Sequence, residues 1–267
     1  MRRIMLRALL VVLILCVSVS PSLSSDADPS FESLHHQVDA RFSGRLPHLW
    51  GENIPGVRTR LATDEKVIAL TLDACGSARG NGVDVSLMDF LIRERIPATL
   101  FINARWIDAN PALFRQLAAN PLFEIGNHGL RHKPASINGR SVYGITGTKN
   151  VSELVDEIEL NARKIKAITG VRPKLYRSGT AYYDDVAVDI SRFLRHEVAG
   201  FSVLGDAGAT FTAVQVKAAL LKSKPGDIII CHMNHPESGT GAGIIAAVPE
   251  LRRRGFRFVR MSDYPLK

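Results

Sequence analysis

"KVIALTLDACG", residues 66–76, sets the reading of the whole chain. Val67, Ile68, Leu70 and Leu72 lead without a polar break into Asp73, followed by Ala74, Cys75 and Gly76. A short apolar run of this kind reads as a strand buried on both faces, as parallel sheets require. An aspartate at the exit of such a strand lies where parallel β/α folds collect their chemistry, at the C-terminal strand ends.

Outward from this stretch, short apolar runs alternate with amphipathic ones. Strands are expected at 67–73, 98–102, 123–127, 175–177, 198–204, 227–233 and 257–261, and helices at 83–95, 110–119, 151–169, 184–194, 212–222 and 242–254. The segment 151–169 repeats apolar residues at helical spacing and stops at Gly170, a suitable C-terminal cap. Strands alternating with helices imply an α/β fold of parallel β/α units. Seven strands either close a barrel or lie in an open sheet. The glycine-bearing region 133–150 reads as a long loop near a site.

The ends of the chain and its composition bound the rest. At 267 residues, 46% hydrophobic and 22% charged, it is long enough for a sizeable core. Residues 1–24 run from basic "MRRIMLR" through apolar "ALLVVLILCVSV" to small residues, the layout of a secretory signal peptide cut after Ser24. The apolar run is short of the roughly 20 residues of a membrane span, so no stable membrane insertion is expected after cleavage. Residues 25–65 form a polar lead-in, and 66–267 the main domain. Loss of Arg2, Arg3 and Arg7 takes the formal charge from +8 to +5. No basic stripe with interleaved aromatics appears, so a nucleic-acid partner is not expected.

Ionisable residues leave consecutive strands at one end: Asp73, then His128 and His132, Arg177, Asp206 and His232. His128 and His132 are four apart, which on a helical turn puts both imidazoles on one face, as a metal pair requires. Asp73 has three readings: a cap, a partner of Arg177, or a general base near a metal-bound water. Two cysteines, Cys75 and Cys231, remain after cleavage. In an oxidising compartment they form a disulfide, serve as ligands or stay as buried thiols, and a bridge or two close thiols is favoured over coordination.

These residues resemble the polysaccharide deacetylases. "ALTLDACG" (69–76) is similar to the family's first motif, "NHGLRH" (127–132) to the second, "GVRPKLYRSG" (170–179) to the approach to the third, "FSVLGDAG" (201–208) to the fourth, and "DIIICHM" (227–233) to the closing strand. The resemblance covers about three quarters of the chain. It implies a distorted (β/α)₇ barrel and metal-dependent removal of N-acetyl groups from an envelope or extracellular glycan, such as chitooligosaccharide or peptidoglycan, in a periplasmic or secreted setting. By the same resemblance Asp73 is the general base and Arg177 its orienting partner. His128 and His132 hold zinc or cobalt, His232 is the general acid, and Asp206 tunes it.

Three departures stand out. Ala74 replaces the family's second aspartate, normally a metal ligand. The third motif reads "RSGTAYY", which leaves Tyr182 or Tyr183 to line the cleft, and Asn234 and His235 are added at the mouth after His232. The missing ligand is supplied by Asp73, by Cys75, by a water or another side chain, or not at all. Two alternatives therefore stand beside the glycan deacetylase: a deacylase of a non-polymeric amide such as a lipid-linked sugar, and a glycan-binding relative with a degenerate metal site.

Overall fold

A computed structural model describes residues 29–267. The signal-peptide expectation falls on residues 1–24, outside the described residues. In chain order the elements are α1 (Phe31–Phe42), β1 (Trp50–Gly51), β2 (Val57–Arg58), β3 (Val67–Ala74), α2 (Val85–Arg93), β4 (Ala98–Ile102), α3 (Ala104–Ala109) and α4 (Pro111–Ala119). They continue with β5 (Phe123–Asn127), β6 (Ser141–Val142), β7 (Ile145–Thr146), α5 (Val151–Thr169), β8 (Leu175–Tyr176), β9 (Tyr183–Asp184) and α6 (Asp185–Phe193). The last are β10 (Glu197–Ala199), β11 (Val203–Leu204), α7 (Ala213–Leu220), β12 (Asp227–His232), α8 (Thr240–Arg253) and β13 (Arg257–Val259).

The main sheet runs β11-β12-β3-β4-β5-β8-β10-β2, with β13 also paired to β3. Its strand pairs are parallel throughout. β10 and β11 stand far apart along this order, yet only three residues, Gly200 to Ser202, connect them. The sheet therefore curls until its far strands meet in one covalent segment. The expected strand 198–204 is broken at this point, and the barrel closes there through the chain rather than through a ladder.

Side-chain alternation sorts β3 into two faces. Ile68, Leu70, Leu72 and Ala74 turn outward, into the apolar layer shared with Leu87, Leu91 and Trp106 of the surrounding helices. Val67 and Ala69 turn inward, where they pack with Phe101 and Ile228 as the barrel floor. The next inward positions, Thr71 and Asp73, are polar and buried. Register carries the pattern across: His232 lies beside Asp73, and Cys231 beside Leu72.

The lead-in expected to lack periodic structure contains a helix. Leu34, Val38 and Phe42, spaced by four on α1, are buried with Val155 and Ile158 of α5 and Val186 and Ile190 of α6. Its polar faces gave α1 a low mean hydropathy, which hid the stripe. Among the described residues no helix is long and apolar enough to cross a membrane.

Candidate active site

Arg177 organises the interior. Its side chain is fully buried, with the guanidinium carbon 4.1 Å from the ring centroid of Phe101. One Nη donates to Asp73 Oδ1 at 2.7 Å and to Thr71 Oγ1 at 2.8 Å, and the other donates to the Gly200 carbonyl at 2.9 Å. A buried cation is tolerable only when paired and hydrogen-bonded in this way. Asp73, 2% exposed, keeps Oδ2 3.7 Å from His128 Nε2.

The histidine pair is not on a helical turn, contrary to the expectation from its spacing. Residues 128–132 follow β5 as irregular chain, with Gly129 at φ +77° and His132 at φ +62°. Side chains hold this loop. Asn127 Oδ1 accepts from the Gly129 amide at 2.9 Å, and Asn103 Nδ2 donates to the carbonyls of His128 and Gly129 at 2.9 and 2.7 Å. The buried Glu157 carboxylate of α5 accepts from the amides of Arg131 and Lys133. The two imidazoles end edge to face, with centroids 4.9 Å apart.

The tautomer of His128 follows from its partner. Its Nδ1 lies 2.9 Å from the Arg177 carbonyl, which can only accept, so Nδ1 carries the proton and Nε2 presents a lone pair when the ring is neutral. Cys75 Sγ lies 3.7 Å from that Nε2. Burial alone would raise the Cys75 thiol, but the neighbouring His132, His128 and His232 pull it well below its ordinary value. His132 Nε2 is buried without a hydrogen-bond partner among the described residues. Donor atoms of Cys75, His128 and His132 all lie within 4.8 Å of one another. A cysteine sulfur, a lone pair fixed by its tautomer and an orphaned ring nitrogen form a donor set that fits a zinc-like cation.

Across the cavity, His232 Nδ1 donates to Asp206 at 3.0 Å, leaving Nε2 as the other ring nitrogen. Asp206, fully buried, also accepts from the His232 amide at 2.7 Å and the Thr240 hydroxyl at 2.9 Å. Burial works against charge on His232, but Asp206 and its hydrogen bond hold the imidazolium well above its usual range.

Asp73, Cys75, His132 and His232 open onto one cavity of about 730 Å³. Thr180, Tyr143, Arg105 and His235 line it too. Of the expected substrate contacts, His235 is at the wall, whereas Tyr182 stands behind Tyr143 and Trp50 in an aromatic cluster with centroids 5.6 and 5.7 Å away. Asn234 is corrected: it is fully buried and donates to the Gly80 carbonyl at 2.9 Å, bracing a loop rather than facing the mouth. Tyr183 is likewise buried, its hydroxyl accepting from the Ser178 amide. Sequence reasoning missed Thr180, whose buried hydroxyl has no partner among the described residues; nothing in its flanking residues marks it.

Of the alternatives open for the two cysteines, the disulfide is not formed. Cys75 and Cys231 are both free thiols. Cys231 shares the outward face of Leu72, in contact range of the Gly205 backbone, while Cys75 turns toward the cavity. Nearness at the strand ends does not suffice when side chains point to opposite faces of a sheet.

Residues 60–199 match the family model described as polysaccharide deacetylase. The chain belongs to the polysaccharide deacetylase family. This family member is 25% identical over 216 residues to the peptidoglycan-N-acetylglucosamine deacetylase of Bacillus cereus, covering 78% of this chain and 92% of that one. Its fold matches a Bacillus anthracis protein described as a CE4 family pseudoenzyme, with a TM-score of 0.64 at 20% identity over 77% of this chain and 67% of that one. It also matches a family 4 acetyl xylan esterase from Clostridium thermocellum in complex with a cobalt ion, with a TM-score of 0.60 at 23% identity over 74% and 89% of the two chains. The distorted (β/α)₇ barrel expected from the sequence is borne out, and membership places the chain among the hydrolases of this family.

Proposed function

We propose that this deacetylase removes N-acetyl groups from an N-acetylated envelope glycan of the peptidoglycan type, in a periplasmic or secreted setting, with zinc as its cation. The carrying observation is the meeting, in one cavity, of the cysteine and histidine donor set, the Asp73–Arg177 pair and the His232–Asp206 pair. The Bacillus cereus relative, named for action on peptidoglycan, supports the substrate class.

When bound at His128 and His132, the cation supplies Lewis acidity toward a carbonyl oxygen and toward water. Asp73 is the general base, its carboxylate aimed by Arg177 so that one oxygen is tied and the other is free. His232 is the general acid: Asp206 occupies Nδ1 and favours the imidazolium, so Nε2 brings a proton to the departing amine. Thr180, unpartnered at the cavity wall, is positioned to steady charge on the acetyl oxygen. Tyr143, 70% exposed and backed by Tyr182 and Trp50, offers an aromatic edge at the entrance for a sugar ring.

The test is acetate release from chitooligosaccharides and peptidoglycan by the purified, zinc-loaded protein, with His128→Ala as control. Stoichiometric metal with no acetate from any glycan would sink the proposal. Acetate from a small N-acyl amide alone would move the substrate to a non-polymeric one.

A further inference from the structure

Between Asp73 and Cys75, the chain offers two candidates for the donor that joins His128 and His132. Asp73 has one oxygen bound by Arg177 and sits deeper, with Thr71 and the guanidinium around it. Cys75 is the next inward position along the same edge of the barrel, one residue past the end of β3. Ala74 between them packs in the outer apolar layer with no exposure and offers no donor.

We propose that Cys75 is the third protein ligand of the metal site, giving a two-histidine, one-thiolate centre and leaving Asp73 free as the base. This rests on the deacetylase reading above. Tetrahedral zinc with ordinary Zn–S and Zn–N lengths sets neighbouring sulfur and nitrogen ligands about 3.6 Å apart. Cys75 Sγ and His128 Nε2 are 3.7 Å apart. The Arg177 carbonyl holds the His128 proton on the far nitrogen, so the lone pair faces the sulfur. His132 contributes the ring nitrogen that has no partner among the described residues. The substitution of sulfur for a carboxylate oxygen also changes which cation is preferred, toward the softer ions and away from magnesium and manganese.

The test is spectroscopic and uses cobalt(II) added to the purified metal-free protein. The expected result is stoichiometric binding with a near-ultraviolet sulfur-to-cobalt charge-transfer band. Cys75→Ser loses the band and weakens cobalt binding by roughly 100-fold, since loss of even an outer partner of a ligand costs 10- to 100-fold. Cys75→Asp regains affinity without the band, and Asp73→Asn keeps both band and stoichiometry. Stoichiometric cobalt without the band, or a band that survives Cys75→Ser, overturns the proposal, as does failure to bind cobalt at all. A protein that shows the band but releases no acetate leaves the thiolate centre standing and removes the deacetylase reading instead.

Discussion

Arg177 reaches Asp73 at 2.7 Å from inside a fully buried pocket, with Phe101 stacked on its other side. Arg177→Ala strands a buried carboxylate, and breaking such a pair costs about 3–5 kcal/mol. Chemical denaturation should show that loss. Asp73→Asn keeps the shape and a hydrogen-bond acceptor for Arg177 but not the base. Its kcat is expected to fall by ~10²–10⁴-fold with zinc content unchanged. An Asp73→Asn variant with near-normal turnover would remove the base assignment.

The His232–Asp206 pair fixes the pH response. Asp206 would be raised by burial but is held below its usual value by His232 and its hydrogen bonds, while His232 is held above its own. The raised histidine contributes stability fully below its unfolded pKa of ~6.5 and loses it as pH climbs through the higher folded value. The lowered aspartate contributes above ~3.9 and loses it as pH falls through its depressed value. Both contributions are complete between those limits. Asp206→Asn should move the alkaline limb of kcat/KM downward by about one pH unit or more. An unmoved limb would mean that another group is the acid.

Glu157 works at a distance from the chemistry. Its carboxylate accepts the amides of Arg131 and Lys133 on either side of His132. Glu157→Ala should lower zinc affinity by ~10–100-fold, as for other residues that orient ligands. Competition with a chromogenic chelator measures this, and unchanged affinity would assign Glu157 to folding alone.

At Gly179 any side chain collides with the histidine loop. A Cβ there would lie 2.3 to 2.6 Å from the His132 backbone. Gly179→Ala is expected to cost about 1–3 kcal/mol by overpacking and to reduce zinc stoichiometry, read by metal analysis beside a thermal melt. Full zinc content at normal stability would contradict the tight fit.

Most of the barrel was legible because β3, β4 and β12 carry largely apolar runs, and α5 carries a helical stripe with a glycine stop. Helix α1 was not, since its three buried positions, Leu34, Val38 and Phe42, stand in a largely polar dozen and give a weak signal until α5 and α6 are there to cover them. The ionisable set of the site was legible from strand-end placement. The conformation of residues 128–132 was not, because Glu157, Asn103 and Asn127 impose it from three different elements. Cysteine partnership also escaped the sequence: it depends on which face of the sheet each sulfur takes, and strand-end proximity carries no such information.

That division of the two sulfurs decides how the site ages. Among the described residues Cys75 has no resolving thiol, because Cys231 is on the other side of the sheet. A peroxide that takes the sulfur to a sulfenic acid, releasing water, finds no second thiol to close a reversible disulfide, and the next rung, the sulfinic acid, is irreversible. Mass spectrometry of the Cys75 peptide after peroxide treatment should show this product in metal-free protein and little of it in zinc-loaded protein; equal oxidation in both would refute the idea. On the proposed thiolate centre the cation is a guard as well as a reagent, and a molecule that loses it under oxidising conditions has a limited time to be reloaded before its sulfur is spent.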